Sequence, residues 1–294
     1  MKKINNATMP GHCTPSAQFW LPGPRRPARL ALLALLLGFL SSALPAGAIV
    51  IRHDRADSDY VVDASHYPQF FHLQQRGQRK VCLASLISEY WAITAGHCTD
   101  DTPLRERVEA GSSWPVQIAG QQREVVQLVL HPEYQNGDLL QGVDLALLRL
   151  DQPVLNVLPL RLNHVPDEVQ QVVSLIGWGY TGTGASGRRV NDGKMRLAHN
   201  TVVDAGQWLL FQFDDPRDSH TQALHLEGIP GLGDSGGPAF LHEGEAPLLF
   251  GVAVGEMELE GALGPQGLYG SVEVYERISL HLEWIDTVLA PLTP

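Results

Sequence analysis

Cysteine is scarce in this chain: three residues among 294, at positions 13, 82 and 98. That is too few for a four-thiolate zinc site or for a small fold stapled by several bridges. Basic residues are also in short supply, 21 Lys and Arg against 32 Asp and Glu, giving a formal net charge of −11. A surface of that sign repels the phosphates of nucleic acid and anionic lipid, which excludes nucleic acid as a partner. No apolar run reaches the roughly 20 residues that a spanning helix needs. Disorder has no compositional support either, because 44% of the residues are hydrophobic. The length suits one large or two smaller domains.

Acidic residues are missing altogether from the first 48 positions. Lys2, Lys3, Arg25, Arg26 and Arg29 precede an apolar run from Leu30 to Leu40, followed by Ser41, Ser42 and Ala46-Gly47-Ala48. Basic region, short apolar region and small-residue cleavage site are the order of a secretory signal peptide. Residues 1–48 are therefore expected to be removed, leaving a secreted or periplasmic chain without a stable membrane anchor. Removal takes five basic residues and no acid, so 16 basic and 32 acidic residues remain, a formal charge of −16. It also takes Cys13. Cys82 and Cys98 then form an even pair, read either as a disulfide or as two buried thiols.

Helical periodicity is as rare as cysteine. Short runs rich in Val, Ile, Leu and aromatics recur instead, bounded by Gly, Pro, Asn or Asp: Val81–Ile87, Tyr90–Thr94, Val125–Leu130, Leu145–Leu150, Val172–Ile176, Trp208–Phe213 and Leu248–Val254. Several are apolar on both faces, as the wall of a closed barrel or sandwich requires. One helix is expected, on Ile278, Leu282, Ile285 and Leu289, with Ser279 as its cap and Pro291 as its stop. Pro153, Pro159 and Pro166 break the strand pattern and suggest a boundary near 160. The Gly-rich run 177–184 lacks the lysine and helix of a phosphate loop and is expected to be a surface loop. Nothing calls for a metal or a cofactor.

Three stretches carry chemistry. Gly233-Asp234-Ser235-Gly236-Gly237-Pro238 sets one hydroxyl among glycines. A serine is a poor nucleophile until a base takes its proton, and flanking glycines let backbone N–H groups turn toward a developing oxyanion. Trp91-Ala92-Ile93-Thr94-Ala95-Gly96-His97-Cys98 runs an apolar strand into a small-residue turn ending at a histidine, whose imidazole exchanges protons near neutral pH. Asp144, in Gly142-Val143-Asp144-Leu145-Ala146-Leu147, is a carboxylate within an apolar run, costly to bury without a partner. Orienting a histidine is such a partnership.

Thr94-Ala95-Gly96-His97-Cys98, Asp144-Leu145-Ala146-Leu147-Leu148 and Gly233–Pro238 resemble the three signatures of the trypsin/chymotrypsin-like serine proteases. Their order and their gaps of 47 and 91 residues are similar to that family's. His131-Pro132-Glu133-Tyr134, Gly177-Trp178-Gly179, Gly267-Leu268-Tyr269 and Trp284-Ile285 extend the resemblance over 49–294. It implies an all-β fold of two antiparallel six-stranded β-barrels with a C-terminal helix, the first over 49–160 and the second over 161–294. It implies a serine endopeptidase acting on protein or peptide substrates through an acyl-enzyme, with Ser235 as nucleophile, His97 as base then acid, and Asp144 as orienting partner. The N–H groups of Gly233 and Ser235 would form the oxyanion hole, and Cys82 and Cys98 the family's bridge beside the histidine. The family's usual bridges in the second barrel are absent, which is more like a bacterial member.

The departures concern substrate and activation. Trypsin-like enzymes carry an aspartate six residues before the nucleophile; here Ile229 stands there, followed by Pro230. With Val254, Gly255 and Gly267 as the other expected pocket residues, the preference expected is for a modest apolar side chain rather than Arg or Lys. A swing of Glu256 into the pocket would reverse it. Ala253-Val254-Gly255 replaces the family's Ser-Trp-Gly, which would remove a hydrogen bond to Asp144. This argues for the alternative, a weakly catalytic homologue that binds proteins through the same cleft. Cleavage after Ala48 would expose Ile49-Val50, whose ammonium the family pairs with the residue here numbered Asp234. Against that, Ile51-Arg52 replaces the two glycines that ease the turn. An α/β-hydrolase esterase fails on order, since those enzymes run Ser, Asp, His.

Overall fold

The computed structural model describes residues 49–135, 142–186, 189–242, 246–257 and 267–290. The leader and Pro291 lie outside them. Two short strands open the chain, β1 (Val50–Ile51) and β2 (Val61–Val62). Six more follow in the first half: β3 (Phe70–Arg76), β4 (Arg79–Leu86), β5 (Trp91–Thr94), β6 (Trp114–Ile118), β7 (Gln121–Leu130) and β8 (Ala146–Leu150). They form an antiparallel sheet in the order β3-β4-β5-β8-β7-β6. The sheet curls nearly shut, because Trp114 Nε1 on β6 donates to Leu73 O on β3 at 2.8 Å. Leu73, Leu83, Leu86, Ile93 and Leu147 are buried in one apolar cluster on it. The helices α1 (His97–Asp101) and α2 (Leu104–Glu109) sit between β5 and β6.

A short β9 (Arg161–Leu162) leads to the second barrel. Its strands are β10 (Val172–Gly177), β12 (Met195–Ala205), β13 (Trp208–Gln212), β15 (Pro238–Leu241), β16 (Leu248–Met257) and β17 (Val272–Arg277); β11 (Gly182–Thr183) and β14 (Gly228–Ile229) lie outside the ring. Strand β10 pairs with both β12 and β15, so the order β10-β15-β16-β17-β13-β12 returns to its start. Six antiparallel strands closed in this way leave no free edge. The fold is thus all-β with two six-stranded barrels.

Strand pairing crosses the sequence boundary near 160. Strand β1 lies between β11 and β14, and β2 extends the second sheet beside β12. The first described residues are therefore built into the second barrel's side. At the other end, a 3-10 turn (Ile278–Leu280) precedes α3 (Leu282–Leu289). Ser279 does not cap that helix: its hydroxyl donates to Glu168 Oε1 at 2.7 Å, completing a buried Glu168–Arg277 pair. Trp284 on α3 stacks edge-on against His131, just beyond β7. No helix among the described residues is long and apolar enough to cross a membrane.

Candidate active site

His97 is the first residue of α1, three residues beyond Thr94, the end of β5. Gly96 makes that turn possible, because a Cβ there would stand 2.6 Å from the Tyr134 ring and 3.0 Å from Asp144 Oδ1. Cys98 is bonded to Cys82 of β4, Cα atoms 5.7 Å apart, which fastens α1 to the barrel wall. The pair is a disulfide and not two thiols. Asp144 is 2% exposed, just before β8. Its Oδ1 accepts from the His97 main-chain nitrogen at 2.7 Å, and its Oδ2 lies 2.5 Å from His97 Nδ1. This arrangement leaves Nε2, whose one polar contact among the described residues is Cys98 Sγ at 3.9 Å, as the ring nitrogen that can exchange a proton. Burial pushes His97 down, but the hydrogen bond and charge of Asp144 outweigh it and leave the imidazole above its ordinary 6.5. Asp144 in turn donates its own N–H to Glu276 Oε1 at 2.8 Å.

Ser235 sits in the turn between β14 and β15, half-buried, and lines one cleft with His97. Strand β4 grips this turn by its carbonyls: Cys82 N donates to Gly233 O at 3.0 Å and Leu83 N to Ser235 O at 2.8 Å. With the carbonyls taken, the N–H groups of Gly233 and Ser235 meet no acceptor among the described residues. Gly233 has φ +100° and Gly236 +78°, a region that other residues enter at a cost. No hydrogen bond joins His97 Nε2 to the Ser235 hydroxyl among the described residues. Such bonds commonly tighten only when substrate is bound.

Asp234 points the other way, into the protein. It is 1% exposed and collects three main-chain donors: Gly179 N at 2.6 Å on Oδ1, and Gly231 N at 2.9 Å and Ile49 N at 3.2 Å on Oδ2. Burial raises its carboxyl to about 6 against the pull of these donors. Ile49 and Val50 are fully buried. Ile49 has φ +59°, an unusual backbone for a β-branched residue. Ile51-Arg52 does not prevent this path: Ile51 pairs in β1, and Arg52 is held by Asp54 (2.7 Å) and Leu224 O (2.5 Å).

The Gly-rich run is not merely a surface loop. Gly177, Trp178 and Gly179 are buried, because a Cβ at Gly177 would strike the Asp234 carboxylate and one at Gly179 would lie 2.7 Å from Leu232 O. The expected pocket divides. Val254 and Gly255 line the cleft of about 260 Å³, together with Pro230. Ile229 does not: it is fully buried, pairs with Val50 and packs on Phe213. Gly267 lies behind Arg189, which covers it on the cleft side, and its N–H is bound to Glu256. Sequence reasoning missed Arg189 and Glu273, which do line it. The one cluster of possible metal donors among the described residues is Cys82, His97 and Cys98. Its two sulfurs are bonded to each other, which removes it as a ligand set.

The Trypsin family model matches residues 60–285. The ovochymase of Halocynthia roretzi is 24% identical over 226 residues, which cover 69% of this chain and 13% of that protein. The chain thus spans a small part of that relative's length. Chymotrypsin-like elastase family member 1 of Canis lupus familiaris is 28% identical over 222 residues, 71% of this chain and 81% of the relative. Among solved structures, neuropsin, a serine protease expressed in the limbic system of mouse brain, superposes with a TM-score of 0.57 at 19% identity, covering 78% of this chain and 98% of the other. That last likeness concerns the fold.

Proposed function

The chain belongs to the trypsin family of serine proteases, and from that premise we propose that it is a secreted serine endopeptidase. Ser235 attacks the scissile carbonyl, and His97 takes its proton and returns it to the leaving amine. Asp144 holds the imidazole and stabilises its charged form. The N–H groups of Gly233 and Ser235 receive the oxyanion. The observation that carries this reading is the 2.5 Å contact of His97 Nδ1 with Asp144 Oδ2, at a histidine sharing its cleft with Ser235. The triad then divides between the two halves, His97 and Asp144 in 49–160 and Ser235 in 161–294.

Maturation follows from the other end of the same hexapeptide. Cleavage of a signal peptide after Ala48 would turn Ile49 N into an ammonium beside the Asp234 carboxylate, 3.2 Å away. Export and activation would then be one cut. Amino-terminal sequencing of the secreted chain tests this, and a start well downstream of Ile49 rejects it.

Labelling of the mature chain by a fluorophosphonate, beside a Ser235→Ala control, tests the activity. Labelling of the wild type alone is expected. One observation favours a second reading, a protein-binding homologue: Ala253 offers no hydroxyl to Asp144. A wild-type chain that stays unlabelled at neutral pH selects that reading.

A further inference from the structure

Two carboxylates share the cleft beside Ser235. Glu256 on β16 and Glu273 on β17 are direct cross-strand partners, and both line it. Like charges directly opposed on antiparallel strands destabilise the pair. Glu273 is moreover only 5% exposed, and a buried charge needs a counter-charge or a proton. Glu256 is held by Gly267 N, at 3.1 and 3.0 Å to its two oxygens, and by the Ser271 hydroxyl. Among the described residues the Glu273 carboxylate receives no hydrogen bond. Burial and the charge of Glu256 push it well above the ordinary carboxyl range, against the pull of Arg189.

Arg189 reaches the same space from the segment between β11 and β12. Its guanidinium lies over Gly267, where a Cβ would stand 2.8 Å from Nη1 and 2.9 Å from Cζ. The cation is poorly served there. Nη1 is buried without a hydrogen-bond partner, and among the described residues Arg189 forms no ion pair within 4 Å. One half-buried guanidinium, its Nη1 unpartnered, and two facing acids thus occupy one pocket without forming an ion pair.

We propose that Glu273 and Glu256 form a cation-recognition site on the substrate cleft, which Arg189 fills in the resting chain as an internal stand-in for the Arg or Lys side chain of a substrate. For its substrate this rests on the endopeptidase reading above. It replaces the expectation of an apolar preference, which placed Ile229 in the pocket. A substrate's basic side chain displaces Arg189 and meets the Glu273 carboxylate, which has donors to gain. Glycine at 267 leaves the room in which Arg189 lies.

The test separates pocket from catalysis. Benzamidine, a rigid aryl amidine, is titrated calorimetrically into the mature Ser235→Ala chain, alone and combined with Arg189→Ala, Glu273→Gln or Glu256→Gln. A charged hydrogen bond corresponds to about tenfold or more in affinity. Arg189→Ala is expected to tighten binding by about that factor, and Glu273→Gln to weaken it as much. Gln is isosteric and removes the like-charge opposition, so the fold is kept; melting temperature checks this, and Glu256→Gln provides a second acid variant. Absence of binding by the Arg189→Ala chain overturns the proposal, as does affinity indifferent to both acid variants. Fluorophosphonate labelling of the Ser235 chain distinguishes the failures. Labelled protein that ignores benzamidine sinks the cation site alone. Unlabelled protein whose benzamidine affinity follows Glu273 sinks the endopeptidase reading alone.

Discussion

Ile49 N and Asp234 Oδ2 lie 3.2 Å apart across 185 residues of chain. The contact joins the expected cleavage point to the residue beside the proposed nucleophile.

The Asp234 carboxyl gives that contact a pH signature. In the uncut chain, burial holds it at about 6 rather than 3.8. A carboxyl raised on folding takes up a proton, so its stabilising contribution is present at low pH and is lost as pH rises from 3.8 through about 6. A free ammonium at Ile49 reverses the sign, because it favours the ionised form. Relative to its own Asp234→Asn variant, the uncut chain is expected to lose melting temperature across that window, and the cut chain to gain it. Parallel slopes for the two forms would show that Ile49 does not pair with Asp234 after cleavage.

Catalysis should fail on the acid side, with a midpoint above the 6.5 of free imidazole, because Asp144 raises His97 and only the neutral ring accepts the serine proton. The kcat/KM profile on a peptide substrate reports it. Asp144→Asn is expected to reduce kcat by about 10⁴ and Ser235→Ala by about 10⁶. A midpoint below 6.5 would contradict the pairing seen at 2.5 Å.

Glu276 is the acceptor for the Asp144 N–H and is almost fully buried. Glu276→Ala leaves that donor unpaired, which costs about 1–3 kcal/mol. Urea unfolding measures this loss. Glu276→Gln keeps an acceptor oxygen and should recover most of it.

Reducing Cys82–Cys98 opens a loop of 16 residues. The chain-entropy model gives a loss of about 3 kcal/mol. Urea midpoints with and without reductant test it, and a Cys82→Ala, Cys98→Ala chain should match the reduced protein. An unchanged midpoint would mean that the bridge does not form in the protein as expressed.

What could be read beforehand was whatever rests on apolar pattern or on three contiguous motifs. Runs such as Leu145–Leu150 and Val172–Ile176 became β8 and β10 with little change. Strands β3, β12 and β17 escaped notice because polar residues interrupt them. In Val272–Arg277 the charged Glu273, Glu276 and Arg277 are all buried, each met by a partner distant in sequence or, for Glu273, by none among the described residues. Sequence alternation therefore suggested exposure where there was enclosure. Ile229 was misplaced for a related reason. Counting back from Ser235 gives residue 229, but the pairing of Ile229 with Val50 carries that side chain into a separate apolar cluster. Arg189 gave no local signal at all, since only the fold brings the β11–β12 segment to the cleft.

The nitrogen of Ile49 is the atom that the proposed signal cleavage would release, and it is enclosed in the folded chain. If the leader is cut after Ala48 as proposed, the order of events is constrained: the cut would come before folding, and the barrels would close around the new terminus afterwards. On that proposal, a chain that folds first would be locked out of its own maturation, and folding before export would leave an uncut form.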